Sequence, residues 1–344
     1  MANASPRGSA APPADAHREP ARLRDSVLQW LNVAGPLLAL VAIYIIFAVI
    51  GPESFRSGGN LETVFRQTAI VGAAALGMTV IMIAGGIDLS VGSVVALTTV
   101  VIAWLLQYAG LPDGWAALVG VAAGALCGLV TGAFITQLRV VPFIVTLGMM
   151  LMVRGLAKAL AHSQKIDAPV GWLQQLVASL PPERQAQLLP PGVWLVIVLG
   201  VLLALALRTM RYGRHVFAIG SNELTARLCG VAVERTKIIT YTLGGAFFGL
   251  AGLMLFSRLT VGDPTAAQGL ELDVIAAVVI GGGSLSGGEG SVFGSLIGAL
   301  IMSVIASGCS QMGLDNWVQE VLTGAIIVIA VALDRLRHRR ARGG

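Results

Sequence analysis

The chain has 344 residues, 56% of them hydrophobic and only 12% charged, with 43 glycines and a net charge of +5. A soluble domain carries about 25% charged residues and about 7% glycine, so a soluble globular fold is excluded: too few charged side chains exist to cover so apolar a body. Disorder and a collagen-like fibre are excluded by the apolar content and by glycines that keep no three-residue period, which leaves a polytopic all-α membrane protein.

In chain order, residues 1–25 read as a Pro/Ala/Arg-rich tail, disordered by composition, with no secretory signal ahead of the first apolar run. Asp15, Glu19 and Asp25 dilute its positive charge and argue against a transit peptide. A bilayer core of roughly 30 Å needs about 20 apolar residues in a helix. Ten runs are candidates: Trp30–Ile50, Thr68–Gly86, Val91–Gln107, Trp115–Leu138, Val141–Leu160, Val193–Leu207, Ile238–Ser257, Val274–Gly283, Ser291–Ser307 and Trp317–Leu333. Two are weak. Val274–Gly283 is too short unless it extends into its flanks, and Val141–Leu160 contains Arg154 and Lys158.

Lysine and arginine set the orientation, because basic loops stay in the cytoplasm. With ten spans both termini share a side, and that side holds sixteen basic residues against six opposite. Both termini are therefore expected in the cytoplasm. The transmembrane domain covers residues 26–334, with a periplasmic segment at 161–192, a cytoplasmic loop at 208–237 and a basic tail at 335–344. The positive balance predicts affinity for anionic lipid headgroups on the inner face rather than for nucleic acid.

Glycine is patterned. Gly120, Gly124, Gly128 and Gly132 recur every four residues along one span, and Gly290, Gly294 and Gly298 repeat the spacing. Small residues so spaced let membrane helices approach closely. Packing alone is the plainer reading; helices that slide during transport is the sharper one.

Two stretches interrupt the apolar runs at membrane depth. In Gly85-Gly86-Ile87-Asp88-Leu89-Ser90 the paired glycines end a helix, and Asp88 or Ser90 can cap the next. A carboxylate in hydrocarbon costs about 2.5–3.5 kcal/mol, so Asp88 should face protein or water, as a structural cap or as a contact for a translocated polar solute. The second break, Gly281–Gly290, is six-tenths glycine and includes Ser284, Gly287 and Gly288. Irregular backbone at this depth must be buried or line a wet cavity.

Within the loop at 208–237, Asn222 is an N-cap, Glu223 favours the positive helix end and Gly230 is a stop. The predicted helix, Glu223–Cys229, puts Leu224 and Leu228 on one face, with Arg227 beside them. So short a helix is unstable alone in water. It must dock on its own protein, on the membrane or in a partner's groove.

Much chemistry is missing. None of the three lysines follows a glycine, so there is no P-loop. No H-E-x-x-H or G-x-S-x-G occurs, His17, His162, His215 and His338 are dispersed, and Cys127, Cys229 and Cys309 are too few for a disulfide framework or zinc site. No cofactor, no metal and no enzyme of the usual kinds is expected on this chain.

Four stretches, Gly77–Ser93, Val141–Ala157, Tyr212–Lys237 and Gly269–Leu300, together resemble the membrane-spanning permease subunits of bacterial ABC importers for monosaccharides, of the ribose/xylose/arabinose/galactose type. The resemblance runs from about Val33 to the C-terminus; the N-terminal tail and Val170–Pro191 follow no family pattern. It implies a type II-like importer permease of the bacterial inner membrane, paired with a second copy or a sister permease. Two cytoplasmic ABC ATPase domains and a periplasmic sugar-binding protein are the implied partners. The helix at Asn222–Gly230 matches the family's coupling helix, which seats in a groove on the ATPase. The rival reading is a secondary transporter driven by an ion gradient, which would favour intramembrane ionisable relays and an internal repeat. Asp88 and Glu320 are the only obvious acids near span interiors, and no half-to-half similarity is evident.

Overall fold

The computed structural model describes residues 19–179 and 189–342. Residues 1–18 of the tail read as disordered over 1–25, and 180–188 of the 161–192 segment, lie outside them, while residues 19–25 are helical, which corrects that part of the tail reading. In order come α1 (Glu19–Ile50), α2 (Gly58–Ile83), α3 (Val91–Gln107), α4 (Asp113–Leu138), α5 (Pro142–Leu160) and a two-residue strand β1 (Ile166–Asp167). Then follow α6 (Pro191–Thr209), α7 (Arg211–Ser221), α8 (Glu223–Leu228), α9 (Val233–Leu259), β2 (Val261–Gly262), α10 (Leu270–Ile280), α11 (Val292–Gln311) and α12 (Asn316–Arg342). Among the described residues six helices, α2, α4, α5, α6, α9 and α11, are long and apolar enough to cross a membrane; α3 and parts of α1 and α12 are apolar but shorter. Helix α1 begins inside the stretch whose composition reads as a tail, and α12 continues through most of the basic C-terminal stretch.

The helix starts follow local chemistry. Pro142 and Pro191 open α5 and α6, where a missing N–H costs nothing. Ser57 Oγ accepts the Asn60 N–H at the start of α2, and Ser291 Oγ accepts the Gly294 N–H at the start of α11, both at 3.2 Å.

The buried centre is α2, α3, α9, α10 and α11, with α4 against α9 and α3, α5 against α3, α6 against α2, and α1 against α11. The α4 glycines meet α9. A Cβ on Gly124 would lie 2.6 Å from the Gly245 carbonyl oxygen, one on Gly132 3.0 Å from Ile238 Cα, and one on Gly128 would collide with the Tyr241 carbonyl. Gly120 faces Ile102 of α3 instead. The other stripe does not serve one neighbour: Gly290 meets Ile83, Gly294 meets Gly281 and Gly298 meets Ala277. Gly128→Ala therefore forces two backbones apart, and overpacking of this kind costs about 1–3 kcal/mol. We expect its thermal midpoint in detergent to fall by several degrees, while Gly155→Ala, with open space at its Cβ, leaves it unchanged. Equal midpoints would remove the close-approach role of the α4 stripe.

The short run Val274–Gly283 proves to be a half-helix. Helix α10 has 11 residues, about 16 Å at 1.5 Å per residue, which is half a bilayer core. Ahead of it, residues 260–269 form no helix and run beside α3: Gly262 is pressed on Thr99 and Ala103, and Ala267 on Gly92. Arg154, the charge inside α5, anchors that run. Its Nη1 donates to the carbonyls of Pro264 at 3.1 Å and Ala266 at 2.6 Å. Where the segment begins, β1 and β2 pair antiparallel (Ile166 opposite Gly262) and Lys165 Nζ lies 3.2 Å from Asp263 Oδ2.

Candidate functional site

At one end of the bundle the two breaks and the α7–α8 loop come together. Helix α2 stops at Ile83, and Gly85 turns the chain at φ +80°, a conformation that costs other residues more. The Gly288 N–H donates to the Ile83 carbonyl at 2.9 Å, tying the second break to the first. Gly220, in the last turn of α7, seats against both: a Cβ there would collide with the Ile83 carbonyl and lie 2.5 Å from the Gly288 nitrogen. A Cβ on Gly287 would lie 2.8 Å from Gly85 Cα and 2.9 Å from the Gly220 carbonyl oxygen. Three separated segments thus meet backbone to backbone, just ahead of α8.

Helix α8 has the expected bounds, one residue shorter at its end. Asn222 Oδ1 accepts the Thr225 N–H at 2.9 Å, and Gly230 leaves the helix at φ +82°. Ala226 faces inward on Ile219 and Val233. Lys237 Nζ pairs with Glu223 Oε2 at 2.7 Å, and Arg227 Nη1 with Glu234 Oε1 at 2.6 Å, bracing α8 on the first turn of α9. These pairs are partly exposed, so each is worth at most about 1 kcal/mol. Leu224 and Leu228 are 74% and 88% exposed. Beside them a cleft of about 540 Å³ opens between α8 and the α4–α5 turn, lined by Arg139, Pro142, Leu224, Arg227, Glu234 and Lys237 among others. The helix is held on its own protein by one face, while the leucine face is presented outward.

The first break is closed from within. Asp88, 1% exposed, accepts the Ser90 N–H at 2.8 Å and the Ser90 hydroxyl at 2.6 Å, both on Oδ1. This corrects the capping expectation: Ser90 occupies the N-cap position of α3 without a side-chain cap bond, and Asp88 fixes the turn before the helix rather than a free N–H of its first turn. The Thr146 hydroxyl of α5 donates to the Ile87 carbonyl at 3.2 Å and braces the turn from outside. Gly86 lies against the Tyr241 hydroxyl. In the second break, the Ser284 N–H donates to the Glu289 carbonyl and the Ser284 carbonyl accepts the Gly287 N–H, each at 3.2 Å. Buried Ser284 therefore braces its own loop.

An asparagine in place of Asp88 retains an acceptor oxygen for Ser90, and an alanine does not. Asp88→Ala is therefore expected to remove most transport and to lower the melting midpoint, with Asp88→Asn keeping the greater part of both. Equal loss from the two changes would make the charge, not the turn, the essential property.

The arrangement brings Gly85, Gly287 and Gly288 together at the entry to α8, whereas Asp88 and Ser90 bond each other further along the first break and Ser284 bonds within the second. Sequence reasoning missed Gly220 as the contact among the three glycines. It also missed the role of Arg154; an arginine inside a run otherwise fit to span was the available signal.

The profile of the family described as branched-chain amino acid transport system / permease component matches residues 60–331. The chain is 37% identical over 313 residues to the ribose import permease protein RbsC of Escherichia coli K12, covering 90% of this chain and 95% of that protein. It is 37% identical over 307 residues to the fructose import permease protein FrcC of Rhizobium meliloti, covering 88% and 85%. With the L-arabinose ABC transporter permease protein AraH of Azospirillum brasilense the identity is 34% over 338 residues, 96% of each chain. No solved structure matches.

Proposed function

The chain belongs to the branched-chain amino acid transport system / permease component family, and from that membership we propose that it is the membrane-spanning subunit of an ABC importer carrying a monosaccharide inward. It is a multi-pass protein of the bacterial inner membrane. The family description names branched-chain amino acids, but ribose, fructose and arabinose permeases are the relatives that match over most of their length, and this favours a sugar as cargo.

The observation that carries the reading is α8: a capped helix braced on one side, with two leucines left bare on the other. A secondary transporter couples through intramembrane ionisable groups rather than through a docking face of this kind. We read it as the coupling helix, received by a groove on a separate ATPase, with a second permease copy or sister permease and a periplasmic sugar-binding protein completing the importer. We further read ten spans with both termini cytoplasmic. The long helices account for six, α1, α3 and α12 for three, and α10 with the segment ahead of it for the tenth. The basic loop that contains α8 then faces the ATPase.

Deleting the gene for this chain tests the cargo. Uptake of labelled D-ribose, L-arabinose or D-fructose from dilute medium should fall to background for at least one of the three. Unchanged uptake of all three would contradict a monosaccharide cargo of this kind.

A further inference from the structure

The start of α10 lies inside the length of the bundle. Gly281 faces Gly294, in the first turn of α11, and Ala277 faces Gly298, so α10 runs antiparallel along α11. Its 11 residues reach about 16 Å, beside roughly 30 Å for the 20 residues of α11. The chain ahead of α10 therefore sits roughly 10 Å short of the far end of a helix that itself spans a hydrocarbon core. The neighbour on the other side agrees: Ala267 is pressed on Gly92, in the first turn of α3, and the rest of that 17-residue helix extends beyond it.

At this depth the chain is neither helical nor covered. Ala267 and Gly269 take left-handed conformations, with φ +58° and +81°. Thr265, Gln268 and Gly269 are exposed, and Leu272, in the first turn of α10, is 49% exposed. The Gln268 side chain has no hydrogen-bond partner among the described residues. Hydrocarbon cannot take up such a surface, because irregular backbone at membrane depth occurs only where protein or a wet cavity covers it. The stretch is also held in place. Arg154 donates to the Pro264 and Ala266 carbonyls, and the Thr265 N–H and hydroxyl both donate to Asp263 Oδ1.

The chemistry of the patch selects its cover. A charged patch would repel its own image, but this one presents neutral side chains: Glu271 Oε2 is buried against Gly92, and Asp263 pairs with Lys165. A glutamine amide both donates and accepts, so Gln268 can bond Gln268 of a second copy across a two-fold axis, where one patch meets itself. Glutamine bonds across helices and small residues at the seam are the means by which membrane segments associate, and Gly269 supplies the second.

Within the importer proposed above, on whose second permease it rests, we propose that residues 265–272 are the face on which another copy of this chain packs. Thr265, Gln268, Gly269 and Leu272 meet their counterparts across the axis. Helix α10 then joins this face to the Gly281–Gly288 loop, beside the entry to α8.

Cysteine cross-linking tests the face. Cys127, Cys229 and Cys309 are first replaced by alanine, and Thr265, Gln268 or Leu272 is then changed to cysteine. The importer, with ATPase and binding protein and no other permease, is kept in native membranes. Leu202→Cys, 54% exposed in the middle of α6, is the control. Copper phenanthroline should join Gln268→Cys into a species of twice the chain's mass that dithiothreitol reverses. A disulfide needs Cα atoms about 4.4–6.8 Å apart, so the yield should exceed that of Leu202→Cys about tenfold or more. Thr265→Cys or Leu272→Cys should give the same species with a short bismaleimide. Monomer from all three, as much dimer from Leu202→Cys, or a product joined to the ATPase or binding protein would overturn the face. ATP-driven uptake of labelled D-ribose, L-arabinose and D-fructose is followed in vesicles of the same preparations. Uptake without the dimer removes the face and leaves the importer reading standing. The dimer without uptake of any of the three sugars keeps the pairing and contradicts the importer reading.

Discussion

Replacing Leu224 and Leu228 together by aspartate is expected to strip the ATPase from the complex while the permease stays folded. At 74% and 88% exposure the two leucines give little to their own protein, so the melting midpoint of the isolated permease should barely move. In a groove each would be buried, and a fully buried leucine is worth about 1.5–3 kcal/mol. Losing both, and placing two carboxylates where apolar surface was, costs at least about 3–6 kcal/mol, roughly a hundredfold or more in association. ATPase recovered with a tagged permease should fall below about a tenth of wild type. Undiminished recovery would show that α8 is not the grip.

Gly220→Ala should separate grip from stroke. The leucine face of α8 is untouched, so the ATPase should still co-purify. An added methyl group, however, overlaps the Ile83 carbonyl and crowds the Gly288 N–H, at the hydrogen bond that joins the two breaks. On the coupling role proposed for α8, this contact is one path by which its motion reaches α2 and the α10–α11 loop, and α9 is the other, since α8 packs on α7 and the start of α9. We expect sugar uptake to drop about tenfold or more while ATP hydrolysis continues, so that hydrolysis and transport are uncoupled. Normal uptake with Gly220→Ala would mean that coupling runs through α9 alone, along the Lys237–Glu223 and Arg227–Glu234 pairs.

How much of this was readable beforehand depends on the range of the physics involved. Helix α8 was legible because its determinants are local: an asparagine three residues before the N–H it accepts, and a glycine at positive φ just past the end. The Gly85–Gly86 break was legible for the same reason. The α4 stripe announced close packing but not its partner, because four-residue spacing defines a face and not a neighbour. The course of residues 260–269 was invisible, since its anchors, Arg154 on α5 and Gly92 and Thr99 on α3, are far away along the chain. Asp88 was placed correctly in a break but given the wrong bond. A carboxylate two residues ahead of Ser90 can cap a helix or close a turn, and only the backbone geometry chooses.

The most direct test of the central claim uses purified components in sealed vesicles. The permease with its ATPase and binding protein should accumulate labelled sugar when ATP is supplied on the ATPase side, and neither a proton nor a sodium gradient should replace the nucleotide. Accumulation by the permease alone, driven by such a gradient and without ATP or companion proteins, would contradict the account.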